Sequence, residues 1–168
     1  DTLGSSAPTD SVFVNGGTID LGVPTPDGEL SIGDHAVLKA DAGAQLTAAG
    51  KLVAGKAGQI AIQARGNGAA LATGRDVILS AYGLDKGGSL TLAAGQIRIA
   101  NGGPQFADAQ RNEPLAGDAS PYVVTSDLFT TGGFQNYKLI ATGGRLSGPS
   151  GGIFEPLEVA PDTLVQPT

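Results

Sequence analysis

Apolar residues alternate with small or polar ones in short runs along much of the chain, and several runs open on glycine. Gly28-Glu29-Leu30-Ser31-Ile32 is echoed thirty positions on by Gly58-Gln59-Ile60-Ala61-Ile62, and again by Gly88-Ser89-Leu90-Thr91-Leu92. Leu30 and Ile32, Ile60 and Ile62, Leu90 and Leu92 fall on one side of a strand; Ser31, Ala61 and Thr91 fall on the other. Period two predicts β-structure. A common thirty-residue phase predicts stacked units, none of which buries its own apolar face alone.

Further short runs of the same kind lie at 36–40, 44–48, 69–72, 76–82 and 96–100, separated by Gly33, Gly43, Gly50, Gly74 and Gly95. A coil of thirty residues with three short strands and tight glycine corners describes a right-handed parallel β-helix, a solenoid. Its interior would carry one ladder of Leu30, Ile60 and Leu90 and another of Ile32, Ile62 and Leu92, with rungs about 4.8 Å apart. An antiparallel sandwich also has many short strands, but its hairpins favour two-residue turns and do not require a common phase.

The whole chain, 1–168, reads as one β-helical fragment with coils over about 17–100. The alternation stops after Ala100, so 101–121, with three prolines and several charges, is expected to leave the coil as a lateral loop. Over 122–168 further strands and an irregular tail follow. Strands are expected at Tyr122-Val123-Val124-Thr125 and at 137–141, with short ones at Ile153-Phe154 and Leu157-Glu158-Val159. Between them, Ser126-Asp127-Leu128-Phe129 before Gly132-Gly133 predicts one helical turn with a Ser cap and a glycine exit.

Composition narrows the picture. The 168 residues suit one domain, and 40% of them are hydrophobic, but only 5% are aromatic and 27 are glycine, so the core must be narrow and tightly stacked. There is no cysteine, methionine or tryptophan, which excludes disulfides, thiolate metal sites and cysteine nucleophiles. Absence of cysteine suits export through a bacterial envelope, and equally suits many cytosolic proteins. A net charge of −6 with scattered basic residues argues against a nucleic-acid partner. No apolar run approaches the roughly 18 residues of a membrane-spanning helix. The start at Asp1 shows no signal-peptide pattern and no initiating Met, so a piece of a longer chain is expected.

The segment Gly87-Gly88-Ser89-Leu90-Thr91-Leu92-Ala93-Ala94-Gly95-Gln96-Ile97-Arg98-Ile99-Ala100 resembles the coils of filamentous haemagglutinin-like exoproteins of bacterial two-partner secretion. Asp127-Leu128-Phe129-Thr130-Thr131-Gly132-Gly133-Phe134-Gln135-Asn136-Tyr137-Lys138-Leu139 is similar to the glycine-glycine-phenylalanine element of large members of that group. Together the likeness covers roughly 28–160. It implies a right-handed β-helical rod exported through an outer-membrane transporter and held at, or released from, the bacterial cell surface as an adhesin. It further implies a host-cell or surface receptor, glycan or protein. An uncapped solenoid end is an open sheet edge, so self-association through the ends is expected. The family's N-terminal secretion domain, with its Asn-Pro-Asn signatures, has no match, so the fragment is expected to come from the shaft. No toxin-like C-terminal domain is visible.

No catalytic, cofactor or metal residue is assigned from the sequence. His35, between Asp34 and Ala36, reads as a solvated corner, and no Gly-x-Ser-x-Gly nucleophile elbow is present. Asp20, Asp27, Asp34 and Asp41 recur every seven residues, but a calcium β-roll needs Gly-Gly-x-Gly-x-Asp repeats, and seven does not divide thirty; turn capping is the expected role. β-Helical polysaccharide lyases and hydrolases need phased carboxylates with a basic residue, whereas Ser31, Ala61 and Thr91 are bland, and Arg98 and Lys39 have no acidic partner in phase. One Thr in the repeated outward position is too few for an ice-binding ladder. The larger side chains available for contact are Tyr82, Phe106, Tyr122, Phe129 and Phe134. Phe129 and Phe134 flank the glycine pair and are expected to pack there, while Phe106 and Tyr122 bracket the loop and are the candidate ligand contacts.

Overall fold

The computed structural model describes residues 15–66, 69–106, 109–112, 121–142 and 157–165. Among these the chain is all-β: fourteen strands and a single four-residue 3-10 turn at Ser126–Phe129. The first level contains β1 (Thr18–Val23), β2 (Glu29–Ile32) and β3 (Val37–Lys39). Two short strands follow, β4 (Ala44–Leu46) and β5 (Leu52–Ala54). The same order then recurs as β6 (Gln59–Ala64), β7 (Ala70–Thr73) and β8 (Ile78–Ser80). Each of these lies parallel to its counterpart, with Thr18 opposite Gln59, Glu29 opposite Ala70 and Val37 opposite Ile78, a constant offset of 41.

Beyond them come β9 (Gly88–Ala94), β10 (Ile97–Ala100), β11 (Gln110–Asn112), β12 (Tyr122–Thr125), β13 (Phe134–Ala141) and β14 (Leu157–Val159). Strand β9 lies parallel to β6, with Ile60 opposite Leu90 and Ile62 opposite Leu92, and β13 completes that sheet in the order β1-β6-β9-β13. Strand β10 does not continue on β7. It sits between β12 and β14, parallel to both, while β11 pairs antiparallel with β7.

Two ladders fill the interior: Ile19, Ile60, Leu90, Tyr137 and Leu21, Ile62, Leu92, Leu139. The middle rungs are buried and the end rungs half-buried, as expected of a stack whose outermost levels have a neighbour on one side only. Burial of each middle side chain contributes roughly 1.5–3 kcal/mol before chain entropy is subtracted. The opposite side of the same sheet carries Asp20, Ala61, Thr91 and Lys138.

The thirty-residue echo is therefore a pairing rule only between its second and third members. Leu30 faces Leu71 and Ile32 faces Thr73, in a different sheet from Ile60 and Ile62. The cause is the run at 44–48, which is not a stacked parallel strand: β4 and β5 form an antiparallel hairpin that lengthens the first level. Gly50 closes its turn at φ 74°, donating to the Thr47 carbonyl. The hairpin leaves and rejoins the stack at one point, because Gly55 N–H donates to the Gly43 carbonyl at 2.9 Å. Its eleven residues account for the difference between offsets of 41 and 30. Deleting 44–54 and joining Gly43 to Gly55 is expected to leave a cooperative fold, with a urea midpoint corresponding to a change under about 1 kcal/mol. Non-cooperative unfolding of the deleted chain would show that the hairpin supports the stack.

The uniform three-strand coil expected for 17–100 is also broken by the division into five sheets, two of which contain antiparallel pairs. In its described parts the segment 101–121 turns back onto the body: Phe106 bridges antiparallel to Val124 and β11 occupies the edge of β7. The physical reason is edge satisfaction, since β7 would otherwise present unpaired backbone groups once β10 has moved away. The strand expected at 137–141 begins earlier, at Phe134, and Leu157–Val159 forms as expected. Ile153 and Phe154 lie outside the described residues.

Candidate functional site

Of the five aromatic residues singled out, the two expected as ligand contacts are buried. Phe106 is 4% exposed and Tyr122 0%. Their rings meet edge-on with centroids 6.0 Å apart, and the Tyr122 hydroxyl donates to Thr73 Oγ1 at 3.0 Å. Folding back of the segment brings both inside, where they serve as core. Burial pushes the Tyr122 phenol well above its ordinary value, partly offset by the Thr73 hydrogen bond. Phe129 and Phe134 do pack around the glycine pair, both against Tyr137, at centroid distances of 4.9 and 6.0 Å. The Tyr137 phenol is pushed up to about 12, by burial first and then by Tyr82.

Tyr82 alone of the five is exposed, at 56%. It borders a groove of about 400 Å³ lined by Asp76, Ile78, Ser80 and Tyr82 from β8 and its flanks, by Gly103, Pro104 and Gln105, and by Asp127, Thr131 and Gly132. On strand β8 Leu79 is buried in the core, whereas Ile78 stands outward and is half exposed.

The far wall is fixed by one side chain. Gln105 Oε1 accepts the Leu79 N–H at 2.9 Å, and Gln105 Nε2 donates to the Leu79 carbonyl at 3.1 Å and to Thr131 Oγ1 at 3.0 Å. The amide thus takes the place of a neighbouring strand on the edge of β8. Gln110 does the same for Val123, accepting its N–H at 2.7 Å and donating to its carbonyl at 2.6 Å. Thr125 Oγ1 donates to the Pro104 carbonyl at 2.7 Å, and Ser126 Oγ accepts the Gly102 N–H at 3.0 Å. That last contact replaces the expected Ser cap: Thr125 stands at the N-cap, with no side-chain cap bond.

Tyr82 is held from two directions. Its hydroxyl accepts the Gly132 N–H at 3.1 Å, and a Cβ on Gly133 would fall on its ring, so one ring face rests against bare backbone. Gly132 and Gly133 both have positive φ, 80° and 73°, which lets the turn lie this close. Its backbone N–H donates to Asp41 Oδ1 at 2.8 Å. An exposed aromatic ring is seldom so constrained.

Of the four aspartates, Asp34 and Asp41 accept backbone N–H groups at corners, whereas Asp20 stands mid-strand in β1 and is no cap. Asp34 Oδ1 accepts the Arg75 N–H at 2.9 Å and Asp41 takes Tyr82 N–H and the Ser80 hydroxyl, each bridging to the next level. Asp20 Oδ1 accepts from Gln63 Nε2 at 3.1 Å, and Asp27 holds a corner at φ 54°. No group of three or more metal-ligating side chains occurs among the described residues. His35 stands at an exposed corner with φ 57°, its Nδ1 3.3 Å from Asp76 Oδ2, which occupies the equivalent corner one level on at φ 53°. Arg98 does have an acidic partner, contrary to the sequence reading: Glu158, directly opposite it on β14, lies 3.6 Å away. The two stand sixty positions apart, twice the thirty-residue repeat, so the pairing was legible in the phase.

Asp127, Gln105 and Ile78 were not anticipated as site residues. Only Tyr82, at the end of an alternating run and followed by Gly83, carried a signal. No protein-family model, curated protein or solved structure matches the chain.

Proposed function

We propose that this chain is a shaft segment of a large secreted bacterial surface exoprotein of the filamentous haemagglutinin type, non-enzymatic, whose task is mechanical display. In this reading the parallel levels are turns of a right-handed β-helix, the hand that parallel crossover connections adopt almost without exception. The observation that carries the reading is the four-rung sheet β1-β6-β9-β13 with its continuous aliphatic ladders, which makes a stiff spacer. Tight glycine corners and the absence of cysteine suit passage through an outer-membrane transporter before folding.

Binding belongs to the groove beside Tyr82, built where the repeat fails, and the partner is a surface glycan or protein receptor. Among the described residues no Lys or Arg lines the groove beside its carboxylates, and the one basic contact is His35 on the outer side of Asp76, so a lyase or hydrolase reading has less support. Antibody raised against the purified chain is expected to label intact producing cells or to find the protein in their medium, and the chain should release no reducing sugar from polysaccharides. Labelling only after lysis, or sugar release, would overturn the display reading.

A further inference from the structure

We propose that the Tyr82 groove binds a neutral glycan, seating the C–H face of a pyranose on the exposed face of Tyr82; the assignment rests on the display reading and names its ligand. Three features carry it. The ring is preorganised by the Gly132 N–H and by the backbone at Gly133, so little side-chain freedom is lost when a ligand stacks on it. Ile78 and Pro104 extend the apolar surface along the groove, which at about 400 Å³ has room for two or three sugar units.

The remaining groups decide the charge of the ligand. The Asp127 carboxylate takes no hydrogen bond from any described residue, and Asp76 uses one oxygen for His35. Both are acceptors without protons to give, so they are matched by ligand hydroxyls, which donate. Thr131 and Gln105 are already committed to Asp127 O and to Leu79. Sialylated, sulfated or uronic sugars would meet two carboxylates in a protein of net charge −6. A compact ammonium would satisfy the carboxylates and leave the Ile78 and Pro104 surface uncovered, which a pyranose covers.

The test is saturation-transfer NMR with lactose, cellotriose and tri-N-acetylglucosamine as neutral probes, and sialyllactose and penta-lysine as charged ones. At least one neutral probe is expected to bind with a Kd of about 1 mM, as befits a shallow single site. Tyr82→Ala should weaken it about tenfold or more, Tyr82→Phe less than about threefold, and Asp127→Asn about fivefold. Should Tyr82→Ala melt early, Ile78→Ser leaves the Tyr82 anchors intact and should still weaken binding.

No binding of any neutral probe, tighter binding of sialyllactose or penta-lysine, or indifference to both Tyr82→Ala and Ile78→Ser would overturn the assignment. If surface labelling succeeds while no sugar binds, the glycan assignment falls alone. If a trisaccharide binds while labelling appears only after lysis, the display reading falls alone.

Discussion

Ile62→Asp is expected to abolish the folded state at room temperature. Ile62 is fully buried, with Leu21 opposite on one side and Leu92 on the other, so like Ile60, Leu90 and Leu92 it is flanked by two strands of its own sheet. An aspartate there has no counter-charge or hydrogen-bond donor in reach of an aliphatic interior and loses the apolar contacts of both neighbours. The cost is of the order of 5 kcal/mol or more, which equals the entire stability of many domains. Ile62→Ala should cost about 3 kcal/mol and remain folded, with the deficit set by the cavity left between levels. Ala61→Ser, one residue away on the outward side, should stay within about 0.5 kcal/mol. Urea denaturation followed by circular dichroism separates the three. Equal effects at 61 and 62 would show that the alternation does not divide inside from outside.

Gly58→Ala should cost about 3 kcal/mol although it adds one methyl group. Gly58 begins the corner before β6, where the carbonyl of Gly17 accepts the Gln59 N–H at 3.0 Å and the Gly58 carbonyl accepts the Ser89 N–H at 3.1 Å. A Cβ would land on the Gly17 carbonyl oxygen and 2.7 Å from the Gly16 carbonyl carbon. Both are backbone, which cannot rotate away, so the corner of one level must be pushed off the next. Gly17→Ala is the contrast: nothing lies within 4 Å of its Cβ position, and thermal melting should scarcely change. A Gly58→Ala protein as stable as Gly17→Ala would mean the levels are not in close contact at this corner.

The strands themselves were largely legible. The runs at 36–40, 69–72, 76–82 and 96–100 appear as β3, β7, β8 and β10 with shifted ends, and the pairing of Ile60 with Leu90 was correctly placed by the echo. The false member of the echo is instructive. Gly28 to Ile32 copies the pattern of Gly58 to Ile62 because any inward-outward strand after a glycine corner has that pattern, whichever sheet it joins. Alternation reports which side of a strand is buried and is silent on its neighbour. Only the hairpin β4-β5, which contains the same alternation but pairs within itself, shifts the register.

The site was less legible still. Phe106 and Tyr122 bracket a proline-rich segment and so read locally as surface, yet long-range closure of that segment onto β7 buries them. Gln105 and Gln110 read as ordinary polar loop residues, and they act as substitute strands on the edges of β8 and β12. Such roles depend on an amide meeting an unpaired N–H and C=O at one spot, and no local pattern encodes that meeting.

Local chemistry is what the sequence determined alone: all-β class, the inward identity of Ile60, Ile62, Leu90 and Leu92, glycine corners and aspartate caps, since each depends on a residue and its immediate neighbours. The tertiary structure decided which strands face each other, which aromatic rings are covered, and that Tyr82 and Asp127 line one groove. Those are contacts between residues distant in sequence, from 16 positions for Phe106 and Tyr122 to 60 for Ile97 and Leu157, fixed by where unpaired backbone edges find partners.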